Sequence, residues 1–106
     1  MVKNGMRPVH PGEILLEEFM KGSDSPINAN TLAKGLEVPA NRITAIIKGQ
    51  RGITGDTAVR LAALFNTTPE FWMNLQKAYE LRLAERALPE KIRKHIEEKR
   101  ASLAST

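Results

Sequence analysis

Residues 27–49, INANTLAKGLEVPANRITAIIKG, predict two short helices joined by a tight turn. The first helix has an apolar face at helical spacing, formed by Leu32, Ala33 and Leu36. Asn28 is suited to cap its start, because its side-chain oxygen can accept from a backbone N–H of the first turn. Pro39 ends this pattern, since proline lacks an N–H, but it fits the start of a second helix. Gly49 supplies a left-handed stop.

The second predicted helix has two distinct faces. Ile43, Ile46 and Ile47 form the apolar face. The opposite face is small and polar and consists of Ala40, Asn41, Thr44, Ala45 and Lys48. The second helix of a helix-turn-helix needs such a face to enter the major groove, where Asn pairs with adenine and a Thr or Ala methyl contacts thymine. Short helix pairs are common, however, so a pair that only packs within the core remains an alternative for this stretch taken alone.

Length and charge favour one domain with a polyanionic partner. The chain has 106 residues, 42% of them hydrophobic, which suits a single globular domain. Its net charge is +4, and residues 27–53 are the most basic part, with four bases and one acid. This distribution is compatible with nucleic acid. A solvated surface with a chance excess of bases is the alternative.

The sequence offers little for catalysis, metal binding or membrane insertion. It contains no cysteine, which excludes disulfides, thiolate zinc sites and thiol nucleophiles. His10 with Glu13, Glu17 and Glu18 resembles a metal or acid–base cluster only superficially, because the second histidine, His95, is distant. There is no signal-peptide apolar region and no apolar run of about 18–20 residues. We therefore expect a cytoplasmic protein that is not an enzyme, with no catalytic residue, metal, cofactor or membrane partner.

The flanking segments divide the chain into three parts. Residues 1–7 predict a flexible arm, residues 8–88 the helix-turn-helix domain, and residues 89–106 a charged helix and a tail. The domain contains further helices: one over residues 13–20, one capped by Thr54, and a long one capped by Thr68 and opened by Pro69. Gly52, between the second helix of the pair and the helix capped by Thr54, suits a backbone that must either come close to another group or turn sharply. Residues 101–106 are expected to be disordered.

The long helix carries a wide apolar face. This face consists of Phe71, Trp72, Leu75, Ala78, Tyr79 and Leu83. It is wider than a lone chain of this size easily buries, so we expect Trp72 in the core and part of the face covered by a second copy. A homodimer would also place two recognition helices one DNA turn apart, about 34–36 Å.

Three stretches give the chain a specific resemblance to a known family. They are HPGEILLEEFM at residues 10–20, the run L-A-x-x-L…V-P-A-N-R-I…G from Leu32 to Gly49, and RGITGDTAVRLAALFNTTPEFWMNLQ at residues 51–76. With these, the chain resembles the HigA-type antitoxins of the XRE/Cro helix-turn-helix family, in the VapI-like branch. The resemblance covers most of residues 8–88.

The resemblance implies both fold and function. It implies an all-α, five-helix, lambda-repressor-like helix-turn-helix DNA-binding domain, here with an additional C-terminal helix. It also implies a dimer that binds a palindromic operator in its own promoter and represses transcription. The implied partner is a HigB-type, mRNA-cleaving toxin encoded beside it. A solitary XRE-family repressor without a toxin, and a toxin-sequestering module that does not bind DNA, are the alternatives. The second would show acids on the outer face of the second helix, and residues 39–49 contain none.

The resemblance also assigns roles to residues of the helix pair. The motif's core would be Leu32, Ala33, Leu36, Val38, Ile43 and Ile46. Asn41 and Thr44, beside Ala40 and Ala45, are expected to contact bases. Arg42, Lys48 and Arg51 are expected to hold phosphates, with Gln50 beside them and Asn28, Asn30 and Thr31 of the preceding helix.

Three features qualify this assignment. Glu37 stands where relatives often have glycine, which predicts either local strain at Glu37 or a slightly altered turn. Pro39 stands where many have a Ser or Thr cap. The basic run from Lys91 to Arg100 is expected to be a solvated face, with a phosphate contact or a toxin-binding surface as alternatives.

Overall fold

The computed structural model describes residues 7–22 and 24–104, which form six helices and no strand. Helix α1 starts as an α-helical turn, Pro11–Ile14, and continues as a π-helix, Leu15–Met20. The others are α2 (Ala29–Leu36), α3 (Ala40–Ile47), α4 (Gly55–Phe65), α5 (Pro69–Ala87) and α6 (Glu90–Ala104). The predicted all-α class and the helix pair are thus confirmed.

Some of the predicted flexible segments lie outside the described residues. These are residues 1–6 of the arm and residues 105–106 of the tail. Arg7, the last residue of the predicted arm, forms an ion pair with Glu13, whose carboxylate lies 2.7 Å from the guanidinium.

The core is built from the apolar faces that the periodicity predicted. Its fully buried members include Leu15, Leu32, Ile43, Ile46, Leu61 and Trp72. Trp72 is completely buried, and its indole N–H donates to the Thr67 hydroxyl at 2.8 Å. Phe19 of α1 packs on this indole, with ring centroids 4.9 Å apart. The prediction that Trp72 belongs to the core is confirmed.

Side-chain caps start the helices where the sequence predicted them. Asn28, Thr54 and Thr68 each accept a hydrogen bond from a backbone N–H in the first turn of α2, α4 and α5. Pro39 precedes α3 in an extended conformation and makes no side-chain cap bond. Proline suits this position for two reasons. Its ring fixes φ at a value that the start of a helix accepts, and its missing N–H would have no partner inside the helix anyway.

Helix α1 begins two residues earlier than predicted. Its cap is His10, whose Nδ1 accepts from the Gly12 N–H at 2.9 Å, while the His10 N–H donates to the Glu13 carboxylate at 3.3 Å. Histidine is an uncommon cap, so its role was not visible in the sequence.

The C-terminal helix is longer than predicted. It continues through Ala104, so the expected disorder from residue 101 is wrong for residues 101–104. No residue of α6 is buried, and the described chain measures 58 × 28 × 24 Å. The radius of gyration is 18.0 Å, against about 13 Å for a compact domain of this length. Within the described ranges, no helix has both the length and the apolarity that a bilayer span requires.

Candidate nucleic-acid interface

The turn between α2 and α3 contains the strain that the sequence predicted. Glu37 is left-handed, with φ 57° and ψ 48°, a conformation that is unfavourable for a residue with a Cβ. The Val38 N–H donates to the Ala33 carbonyl at 3.0 Å and so closes the end of α2. Arg60 of α4 supports the same turn, since its Nη1 donates to the Leu36 carbonyl at 2.7 Å and to the Glu37 carbonyl at 3.3 Å.

An ion-pair network connects this turn to the recognition helix α3. Asp56, in the first turn of α4, accepts from Arg42 at 2.8 Å and from Arg60 at 3.1 Å. The Arg60 guanidinium, and after it Arg42, hold the pKa of the Asp56 carboxyl below its usual value. Because the side chain of Arg42 is only 22% exposed, it lies along the protein rather than extending into solvent.

Sequence reasoning did not identify Asp56 or Arg60 as part of this site. Asp56 is 14 residues from Arg42, and Arg60 is 24 residues from Leu36. The only local signal was the i,i+4 spacing of Asp56 and Arg60 on one helix.

The outward face of α3 has the predicted composition. Ile43 and Ile46 are completely buried on the inner side of α3. On the outward face, Asn41 and Lys48 are exposed, and the small residues Ala40, Thr44 and Ala45 are partly buried. The Thr44 hydroxyl donates to the Asn41 carbonyl at 3.3 Å, which directs its methyl group away from that bond. This face therefore presents short side chains, with one amide and one ammonium group.

The other predicted DNA-binding residues are exposed on α2 and after α3. Asn28, Asn30 and Thr31 lie at the start of α2, and the amide oxygen of Asn28 is engaged by the Thr31 N–H at 2.8 Å. Gln50 and Arg51 are exposed in the segment that follows α3. Among the residues predicted to bind DNA, Arg42 is the one whose guanidinium already binds a carboxylate of the protein, that of Asp56.

The segment after α3 is held more closely than the sequence indicated. Gly49 has φ 76°, as expected for a left-handed stop. The Ile53 N–H donates to Oε1 of Gln76, a buried residue of α5, at 2.8 Å. A Cβ at Gly52 would lie 2.7–2.9 Å from the Gln76 amide, so a larger residue there would displace this amide from its position. Gln76 was missed because its partner is 23 residues away.

The described residues contain no group of three or more His, Cys, Asp or Glu side chains that could hold a metal ion. His10, considered as a metal ligand from the sequence, uses its Nδ1 as the α1 cap. Its pKa is lowered mainly by burial, against the opposing effects of the Arg51 backbone and Glu13.

Fold and surface together define a helix-turn-helix DNA-binding protein, and a family model described as helix-turn-helix matches residues 27–72. The chain is 48% identical to virulence-associated protein I of Dichelobacter nodosus, over 78% of this chain and 75% of that protein. It is similar to the structure of an addiction module antidote protein of the HigA family from Coxiella burnetii. The TM-score is 0.76 and the identity 55%, over 84% of this chain and 95% of that one.

A third relative has been solved together with DNA. The structure of the Pseudomonas aeruginosa antitoxin HigA with the higBA promoter matches with a TM-score of 0.72 and 47% identity, over 76% of this chain and 86% of that one. The chain therefore belongs to the XRE helix-turn-helix family, among its HigA-type antitoxins and VapI-like proteins. The family resemblance seen in the sequence is confirmed.

Proposed function

We propose that this protein is an antitoxin that binds its own operator as a dimer, represses transcription and neutralises a cognate HigB-type, mRNA-cleaving toxin. The observation that carries the DNA-binding part is the outward face of α3. It presents Asn41 and Lys48 with small residues between them, and it contains no acid. Such a face suits a groove-inserted helix, because short polar side chains and methyl groups can contact base edges and the absence of acids avoids repulsion by the phosphates. The relative that was solved with its promoter supports the assignment of DNA binding.

We assign base contacts and phosphate contacts to different residues. Asn41 and Thr44 would contact base edges, with the methyl groups of Ala40 and Ala45 beside them. Phosphate contacts would come from Lys48, Gln50 and Arg51, which follow these residues in the chain, and from Asn28, Asn30 and Thr31 at the start of α2. Arg42 would contact a phosphate while still paired with Asp56, so its contribution should be smaller than that of Lys48 or Arg51.

The dimer would use the apolar face of α5 that the single chain leaves uncovered. Phe71 is 37% exposed and Leu83 44% exposed. The same helix also borders an apolar cavity of about 250 Å³, lined by Arg7, Val9, Ile14, Leu75, Ala78, Tyr79 and Arg82. A second copy would remove this surface from water, which is favourable in proportion to the apolar area buried. Residues 8–88 would form the dimerising DNA-binding unit, and residues 89–106 a C-terminal extension.

Four measurements test the proposal. The purified protein should be a dimer by light scattering and should bind the duplex upstream of its own reading frame more tightly than a scrambled duplex of equal length. It should also co-purify with the product of the neighbouring gene and abolish that product's mRNA cleavage. Absence of promoter binding at low ionic strength would contradict the repressor role. Promoter binding by a protein with no adjacent toxin gene would identify a solitary repressor.

A further inference from the structure

Two segments outside the helix-turn-helix converge on the loop that follows the recognition helix. We call residues 49–53 the post-recognition loop; it contains Gly49 and Gly52 as well as the exposed Gln50 and Arg51. His10 contacts this loop at Gly49 from the start of α1, and Gln76 contacts it at Ile53 from α5.

On the α1 side, His10 is held in one orientation. Its Nδ1 accepts from the Gly12 N–H, so the neutral ring carries its proton on Nε2. The ring lies against the loop at Gly49, where a Cβ would lie 3.8 Å from the ring, and it packs edge-on against Tyr79, with ring centroids 4.8 Å apart. A Cβ at Gly12 would lie 2.0 Å from the Ile46 carbonyl oxygen. The start of α1 therefore also lies directly against the last turn of α3.

On the α5 side, both ends of the Gln76 amide are used. Its Oε1 accepts from the Ile53 N–H at 2.8 Å, and its Nε2 donates to the Glu80 carboxylate at 2.7 Å. The bond to Glu80 fixes which end of the amide faces the loop. Gln76 is 7% exposed, so the Ile53 N–H would have no water to replace this acceptor.

We propose that His10 and Gln76 are positioning residues for DNA binding. They clamp the post-recognition loop between α1 and α5, so that Gln50 and Arg51 are already in place when the duplex arrives. This inference rests on the proposed function, because it assigns DNA contacts to the loop. A loop with two glycines is flexible by itself, and ordering it before binding removes that entropy cost from the association step. The clamp also connects the phosphate-contacting loop to α5, the helix that we assign to the dimer.

The test uses Gln76→Met, which keeps the side-chain size but removes the acceptor. The matched rescue is Gln76→Glu combined with Glu80→Gln. In this pair a carboxylate oxygen still accepts from the Ile53 N–H, residue 80 becomes the donor, and the net charge is unchanged. Hydrogen exchange of the Ile53 amide in the free protein reports the clamp without DNA. Binding to the upstream duplex over a range of salt concentrations reports its effect on phosphate binding.

We expect faster exchange of the Ile53 amide in Gln76→Met and a weaker affinity for the duplex. The slope of log K against log salt should stay close to the wild-type value, because Arg51 still neutralises its phosphate in the complex and Gln50 is uncharged. The double exchange should restore both the exchange rate and the affinity. In an Arg51→Ala background, Gln76→Met should lower the affinity by less than in the wild-type background.

The outcomes separate the clamp from the proposed function. A wild-type affinity in Gln76→Met, or no change in Ile53 exchange, would overturn the clamp while leaving DNA binding intact. Failure of the double exchange to restore the affinity would also overturn it. If the wild-type protein bound no duplex, the proposed function itself would be refuted, and with it the role of the clamp in DNA binding.

Discussion

Replacing Glu37 with glycine should stabilise the protein, because Glu37 is left-handed in the turn of the helix-turn-helix, at φ 57° and ψ 48°. This conformation costs a residue with a Cβ about 1–2 kcal/mol, and glycine does not incur that cost. Glycine loses about 0.5–1 kcal/mol more backbone entropy on folding. The net gain is therefore about 0.5–1 kcal/mol, which corresponds to a rise in Tm of about 2–8 °C for a domain of this size.

The chain offers a matched control for this prediction. Asn66 ends α4 in nearly the same conformation, at φ 56° and ψ 44°, but asparagine tolerates the left-handed region better than glutamate. Asn66→Gly should thus raise Tm less than Glu37→Gly does. Glu37→Gln should leave Tm nearly unchanged, since it removes the charge and keeps the backbone strain.

Thermal and denaturant unfolding at one fixed protein concentration would measure these differences, because the Tm of a dimer depends on concentration. A Glu37→Gly variant that is no more stable than wild type would refute the reasoning from strain. An equal gain in Asn66→Gly would refute the part that depends on residue type. A gain in Glu37→Gln as large as that in Glu37→Gly would show that charge, not backbone conformation, was responsible.

Three further predictions have defined outcomes. Asn41→Ala should abolish the preference for operator over random DNA, whereas Lys48→Ala should weaken binding to both duplexes and flatten the salt slope by about one unit. Equal behaviour of the two variants in salt-dependent binding would contradict the division between base contacts and phosphate contacts. The free energy of unfolding should fall as pH drops below about 6.5, because burial lowers the pKa of His10 in the folded state and the unfolded chain takes up the proton first. His10→Asn should remove this pH dependence, and its persistence in denaturant titrations of that variant would assign it to another group. Deleting residues 89–106 should leave Tm and duplex binding nearly unchanged, because no residue of α6 is buried; a large decrease of either in melting or binding measurements would show that α6 is part of the dimer or the DNA-binding unit.

The ion-pair network around Asp56 explains why α4 matters to a surface formed by α3. Asp56 holds Arg42 of the recognition helix, and Arg60 supports the carbonyls of the strained turn. Through Arg42 and Arg60, the Asp56 carboxylate thus connects both ends of the turn to α4. The network also makes Arg42 the predicted DNA-binding residue that is least accessible to a phosphate.

Much of the fold could be predicted because its signals are local. The caps at Asn28, Thr54 and Thr68 and the left-handed stop at Gly49 depend on residues within one turn of each other. Apolar periodicity similarly identified the buried face of α3, and with it the opposite face that we assign to DNA. The departure from glycine at Glu37 was enough to locate the strained turn.

Contacts between distant segments were decided by the packing of the helices. Neither the Gln76–Ile53 bond, 23 residues apart, nor the Arg42–Asp56 pair, 14 apart, follows from any local pattern. His10 shows the same limit, since its contacts with Gly49 and Tyr79 exist only once α1 and α5 have packed around the loop. A polar side chain can form hydrogen bonds or ion pairs with many different groups, and only the tertiary arrangement decides which of them lies close to it. Amino-acid order therefore specified the helices and the composition of the face that we assign to DNA, while packing determined which residues hold that face in place.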